Sequence, residues 1–208
     1  MKRVLVVNNY VDQTKYAPQM QNLCSQVVVN CETEIDTVAY QDFNIEYVEG
    51  RMDDFVGIVM SGSEALYSKA DDRNKFAEAI SAIRRLGLPV LGICGGHQLI
   101  AMAYGQQIVP TGKPIKGYRN VTVIDDDPLF EGTSVIVSIM QSHQEMVERL
   151  PEGFRHLARS DETPIEAFCD RNKRLYGVQF HPERNEKDHP AGARILANFG
   201  RLLSQQEG

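Results

Sequence analysis

The sequence predicts an α/β fold: a mainly parallel sheet with helices on both faces, extended by an additional region of antiparallel strands. Three observations carry this expectation. In the first half, short apolar runs rich in β-branched residues alternate with segments of helical period. Two of those runs, Phe55 to Met60 and Leu88 to Ile93, lead directly into glycine-containing turns. The second half instead carries consecutive strand-like runs separated by turn signals such as Asp125-Asp126-Asp127-Pro128 and Pro151-Glu152-Gly153.

The elements follow in order. Lys2 to Val7 is a short apolar run of the kind that forms a buried strand. Residues 16–25 suit a helix, and Val27-Val28-Val29 a second strand. Phe55 to Met60 is a third. Between Asp71 and Leu86 the residues Phe76, Ala79, Ile80, Ile83 and Leu86 recur at helical spacing, and Gly87 and Pro89 supply the stop. Leu88 to Ile93 forms the next strand, and His97 to Tyr104 a mostly apolar helix closed by Gly105. Strands are then expected at Val121–Ile124, Val135–Ile139, Phe154–Ala158, Ile165–Phe168 and Leu175–Phe180. A final helix runs from about Ala191 to Ser204, with Ile195, Leu196, Phe199, Leu202 and Leu203 on one stripe. No linker, repeat or low-complexity tract divides the chain, so residues 1–208 read as a single domain.

Composition narrows the function classes. The 208 residues are 42% hydrophobic and 24% charged, a globular mix in a chain long enough to bury a core without staples. The net charge of −6 and the absence of a Lys/Arg run argue against nucleic acid as a partner. The longest apolar runs fall far short of the roughly 18 residues that span a bilayer, so no membrane association is expected. The basic start, Met1-Lys2-Arg3, is followed by an apolar run that stops at Asn8-Asn9, too early for a secretion signal. A cytoplasmic location with reduced thiols follows, and Cys24, Cys31, Cys94 and Cys169 form no CxxC pair. There is no Walker A segment, no G-x-G-x-x-G after the first strand and no H-E-x-x-H, so neither a cofactor nor a metal is expected.

Four segments carry chemistry. Gly92-Ile93-Cys94-Gly95-Gly96-His97-Gln98 has the form G-x-C-x-G between a predicted strand and a predicted helix, the thiol version of a nucleophile elbow. The glycines give backbone room to a sharply turned nucleophile, and the helix that follows aims its N-terminal N–H groups at the sulfur and favours thiolate. In Gly177-Val178-Gln179-Phe180-His181-Pro182-Glu183, an extended backbone around Pro182 lets His181 and Glu183 project to one side, so the carboxylate can orient the imidazole. A cysteine with a distant histidine and acid is the pattern a thiol nucleophile leaves in a sequence. Met60-Ser61-Gly62-Ser63-Glu64 follows a strand with small residues that leave N–H groups open to an oxyanion or a carboxylate, although on its own a plain turn is the commoner explanation. In Gln141-Ser142-His143-Gln144-Glu145, His143 on its own reads as a hydrogen-bonded loop histidine. His97 reads as a packed core histidine, and Cys24, Cys31 and Cys169 as small apolar residues.

Taken together, Gly57 to Gly62, Gly92 to Gln98, the Ser142-His143 loop and Gly177 to Glu183 resemble, in their order along the chain, the class I glutamine amidotransferases with a Cys-His-Glu triad. Within that family the chain is most similar to the glutaminase part of GMP synthases, through Met140 to Phe168 and Asp127 to Gly132. The stretch Arg184 to His189, the opening Asn8 to Asp12, and Ser-Gly-Ser where a Gly-Gly run is commoner depart from that subgroup.

The resemblance implies a flavodoxin-like class I amidotransferase fold and a set of roles. Cys94 attacks the side-chain amide of L-glutamine, His181 moves the proton and Glu183 orients His181. The N–H groups of Gly62 and Gly95 hold the oxyanion, and Gln98, Ser142 and His143 bind the substrate. It also implies a separately encoded synthase subunit of ATP pyrophosphatase type as the receiver of ammonia, since no such module is expected after the final helix. Two other readings stay open at this point: a stand-alone γ-glutamyl hydrolase or peptidase of the same fold, and a non-catalytic regulatory module.

Overall fold

The computed structural model describes residues 3–204. Its strands are β1 (Arg3–Asn8), β2 (Ile35–Ala39), β3 (Phe55–Met60), β4 (Val90–Ile93), β5 (Ile108–Val123), β6 (Ile136–Val147), β7 (Arg155–Arg159), β8 (Ala167–Asp170) and β9 (Leu175–Val178). Its α-helices are α1 (Ala17–Cys31), α2 (Ile45–Arg51), α3 (Ala70–Asn74), α4 (Ala77–Ile83), α5 (Gly95–Ala103) and α6 (Ala191–Ser204). The strands form one sheet in the order β2-β1-β3-β4-β9-β8-β7-β5-β6. Neighbours from β2 to β9 run parallel, and those from β9 to β6 antiparallel. This is the parallel sheet with an antiparallel extension that the sequence predicts.

Strand alternation divides the core into two layers. Val4, Val6, Val59 and Leu91 pack with Met20, Leu23 and Val27 of α1 and with Ile195, Leu196 and Phe199 of α6. Leu5, Val7, Ile58, Met60 and Val90 pack on the other face with Val48, Ala79, Ile83, Leu99 and Ile100. Among the described residues, no helix is long and apolar enough to cross a membrane.

Several local expectations need correction. Val27-Val28-Val29 is not a strand but the last part of α1. Val27 is fully buried while Val28 and Val29 are 41% and 69% exposed, so burial of a Met20-Leu23-Val27 stripe overrides the β preference of three valines. The strand after α1 is instead β2, where only Val38 is buried and the apolar signal is correspondingly thin. The helix expected over 71–86 breaks into α3 and α4, and the break places Phe76 against Tyr40 (centroids 4.2 Å) and edge-on to Tyr67 (5.1 Å).

Much of β5 and β6 forms a hairpin longer than its apolar residues suggest, because only Ile108, Ile115 and Val121 of β5 are buried. Ser142 and His143 therefore lie in β6 and not in a loop, paired with Lys116 and Ile115. Gln141, His143 and Glu145 of that strand point inward, an alternation with polar residues on the buried side.

Candidate active site

The site is built where β3, β4 and β9 end. Cys94 leaves β4 at φ +50°, ψ −98°, outside the regions open to ordinary L-residues, and its N–H donates to Val178 O at 2.8 Å. α5 starts at the next residue. The turn closes only without side chains: a Cβ on Gly92 would stand 2.6 Å from the Gly96 carbonyl, and one on Gly95 2.7 Å from Ser63 N. The sharp turn, the strained cysteine and the following helix N-terminus are what the G-x-C-x-G spacing leads one to expect.

His181 lies just past β9, its N–H bonded to Met140 O at 2.9 Å. Its Nδ1 is 2.7 Å from Glu183 Oε1, and both side chains are buried. Burial opposes charge on the imidazole, but the Glu183 carboxylate and the Cys94 sulfur outweigh it and push His181 up to about 9. Burial would likewise raise Glu183, yet the neighbouring His181 holds it below the usual carboxylate value. The pair is thus an imidazolium–carboxylate pair at neutral pH. Among the described residues, His181 Nε2 has no hydrogen-bond partner. The point that a Cβ on Gly62 would occupy lies 3.1 Å from His181 Cε1 and 3.8 Å from Cys94 Cβ, so imidazole, thiol and the Gly62 backbone converge.

The segment Ser61–Glu64 is held from the β1 side. Ser61 N–H donates to Val7 O (3.0 Å), Asn9 Nδ2 to Ser61 O (2.8 Å) and Asn9 N to Ser61 Oγ (2.8 Å). The Glu64 carboxylate accepts from the N–H groups of Val11 (3.1 Å) and Asp12 (2.7 Å). Among the described residues, the N–H groups of Gly62 and Gly95 donate to no acceptor, leaving both free for a ligand. The sequence assigned the Asn9 and Glu64 side chains no role of their own. The signal for Asn9 was the polar pair Asn8-Asn9 closing the apolar run of β1.

These groups open on a cavity of about 420 Å³ lined by Cys94, Gln98, Ser142, His143 and His181 among others. Glu183 stands behind His181. Tyr10 and Tyr16, stacked at 4.7 Å, also line the cavity and were not foreseen. Gln98 Nε2 donates to Glu145 O (2.9 Å) and to Gln179 Oε1 (3.1 Å), and Gln179 Nε2 donates to Cys94 Sγ at 3.6 Å. His97 is fully buried and stacks on Phe168 at 4.4 Å. Burial pushes it down to about 3, so it is a neutral core residue. A second cavity of about 510 Å³ between β6 and the start of α6 is lined by none of the candidate catalytic or substrate-binding residues.

Residues 13–202 match the family described as glutamine amidotransferase class-I. The chain belongs to that family. As a class-I glutamine amidotransferase it is an enzyme that draws nitrogen from the side-chain amide of glutamine. It is 33% identical over 201 residues to a subunit of the glutamine-hydrolysing GMP synthase of Methanosarcina barkeri, covering 95% of this chain and 94% of that one. It is 36% identical over 151 residues to the glutamine-hydrolysing GMP synthase of Campylobacter hominis, covering 73% of this chain but spanning only 28% of that longer protein. The crystal structure of a glutamine amidotransferase from Thermotoga maritima superposes with a TM-score of 0.73 over 99% of this chain and 100% of that one. At 14% identity that likeness concerns the fold alone.

Proposed function

We propose that the chain is the glutaminase subunit of a two-chain GMP synthase, hydrolysing L-glutamine at Cys94 and passing ammonia to a separate synthase subunit of ATP pyrophosphatase type. The observation that carries the reading is the strained Cys94 at a helix N-terminus beside the buried His181–Glu183 pair. The near full-length match to one subunit of such a synthase supports the two-chain arrangement. Four free cysteines suit a reducing cytoplasm, where we place the enzyme.

The chemistry follows from the geometry. The Cys94 sulfur attacks the amide carbon of the glutamine side chain. The developing oxyanion takes the free N–H groups of Gly62 and Gly95, each donor contributing a few kcal/mol to the barrier. His181, held protonated by Glu183, gives its Nε2 proton to the departing nitrogen, which leaves as ammonia. The neutral imidazole then takes a proton from water as it attacks the γ-glutamyl thioester. Glutamate and the free thiol result, so the cycle consumes one glutamine and one water. Gln98, Ser142 and His143 face the same cavity and hold the amino-acid end.

The test is release of glutamate from glutamine by the isolated chain, then with a GMP-forming synthase partner, ATP and xanthosine monophosphate. Stimulation together with GMP formation supports the reading. Turnover of γ-glutamyl peptides that no synthase alters makes it a stand-alone hydrolase. Binding without turnover makes it a regulatory module.

A further inference from the structure

A chain of buried polar side chains runs away from the cavity to a carboxyl group that does not line it. Glu166, just before β8, is 1% exposed. Both its oxygens lie 3.0 Å from Gln141 Nε2, and Ser160 Oγ donates to Oε1 at 2.7 Å. Gln141 Oε1 lies 3.1 Å from His143 Nε2, and His143 Nδ1 lies 2.9 Å from Glu145 O. That same carbonyl accepts from Gln98 Nε2. A carboxyl group buried this deeply is expensive and calls for a reason.

Donor and acceptor parity shows what the chain transmits. With Gln141 Oε1 and Glu145 O both accepting, His143 must donate from both ring nitrogens and carry a positive charge, balanced by ionised Glu166. The neutral alternative turns the Gln141 amide over. Protonated Glu166 then donates to Gln141 Oε1, Gln141 Nε2 donates to His143 Nε2, and His143 Nδ1–H keeps the bond to Glu145 O. In each arrangement Glu166 decides which way Gln141 faces, and Gln141 decides whether His143 Nε2 carries a proton. Burial pushes Glu166 up to about 7 and His143 down to about 4, which favours the neutral arrangement; Glu162 and His181 are the other titratable groups that bear on the pair.

We propose that Glu166 is a positioning residue for glutamine binding: through Gln141 and His143 it fixes the Glu145 carbonyl that anchors Gln98. The inference rests on the glutaminase reading above and deepens it. Without the carboxyl group Gln141 loses its orienting partner, the His143 tautomers interconvert, and the Glu145 carbonyl is no longer held against Gln98.

The experiment compares two reagents on Cys94, mapped by peptide: a glutamine-shaped chloroketone, which must occupy the substrate pocket, and iodoacetamide, which needs only the thiol. Glu166→Ala should raise the half-saturating concentration of the chloroketone about tenfold, leave its limiting rate alone, and leave iodoacetamide labelling within about twofold of wild type. Glu166→Gln, whose amide can both donate to and accept from Gln141, should restore the chloroketone to within about threefold. Equal slowing with both reagents, or no slowing with either, overturns the proposal. Gln141→Met cuts the chain at its next link with little change of volume, is judged by the same criteria, and decides the matter if Glu166→Ala does not fold. A wild-type chain that iodoacetamide labels at Cys94 and the chloroketone does not label saturably overturns the glutaminase reading itself.

Discussion

His181 Nδ1 meets Glu183 Oε1 at 2.7 Å across a single intervening proline, with both side chains buried. The extended backbone that the sequence suggests around Pro182 is not what forms. His181 to Arg184 make a turn, with Arg184 N–H donating to His181 O at 3.1 Å, and Pro182 and Glu183 at its centre bring the carboxylate back onto the imidazole. The pair's stabilising effect has two limits. His181 is raised above its ordinary value of 6.5, so its contribution is complete below that value and is lost as pH rises through about 9. Glu183 is lowered from its ordinary 4.5, so its contribution holds above that value and fades as pH falls through its depressed pKa.

In the proposed reaction the same pair sets the alkaline limit of activity. kcat/KM for glutamine should fall as pH rises through about 9, where His181 loses the proton it gives to ammonia. In Glu183→Gln the carboxylate that holds that proton is gone, and only the Cys94 sulfur is left to oppose burial. The alkaline limb should move down toward or below about 6.5, the ordinary imidazole value. A limb that stays near 9 in Glu183→Gln would assign the titration to another group.

The backbone at Cys94 makes a stability prediction independent of turnover. At φ +50° any Cβ is strained, and such positions cost on the order of 1–3 kcal/mol. Cys94→Ala keeps that strain and Cys94→Gly relieves it, against an entropic cost of roughly 0.5–1 kcal/mol for glycine. Neither variant should hydrolyse glutamine, and Cys94→Gly should be the more stable by about 1 kcal/mol in urea unfolding. Equal midpoints would mean that the elbow is not strained.

Gly95 is predicted to act through its neighbour. An added Cβ would stand 2.7 Å from Ser63 N and 3.1 Å from Gly62 C, so Gly95→Ala must push the Gly62 N–H away from Cys94. One displaced oxyanion donor costs about 100-fold to 1,000-fold in kcat. The expected result is a loss of that order with KM for glutamine little changed. A variant that loses binding instead would place Gly95 in the substrate pocket.

What the sequence made legible was chemistry confined to a few consecutive residues. The Cys94 elbow and His181-Pro182-Glu183 could be read because each is a few consecutive residues, although the second closes through a turn and not the extended backbone the sequence suggests. The substrate wall could not be read that way, and Gln98, Ser142 and His143 were named through the family resemblance alone. Gln141, His143 and Glu145 lie on a strand whose buried side is polar, so hydrophobic alternation, the signal that finds strands, was inverted there. Glu166 and Gln179 reach the site only through sheet pairing, and Asn9 only through the β1–β3 neighbourhood. Neither Glu166 nor Gln179 carries a local mark of that contact. The valines of α1 failed for the opposite reason: a clear local preference gave way to packing.

Coupling to a synthase, if it acts on the oxyanion segment, has one route through Asn9 to Asp12, because those residues help to hold Ser61 and Glu64. Asn9→Ala removes the bond from Nδ2 to Ser61 O but leaves the backbone bond to Ser61 Oγ, so the segment loosens without being lost. The fraction of molecules with Gly62 in place should fall, and basal kcat with it, by about tenfold, with KM for glutamine little affected. A partner that prefers the assembled segment shifts this population by no more than its differential affinity for the two states. It therefore has more to recover in the variant than in the wild type. The ratio of glutaminase rates with and without the synthase, measured at saturating nucleotide and ATP, should be several-fold larger for Asn9→Ala than for the wild type. The same ratio in both proteins would mean that the partner stimulates elsewhere, and that Asn9 only supports the loop.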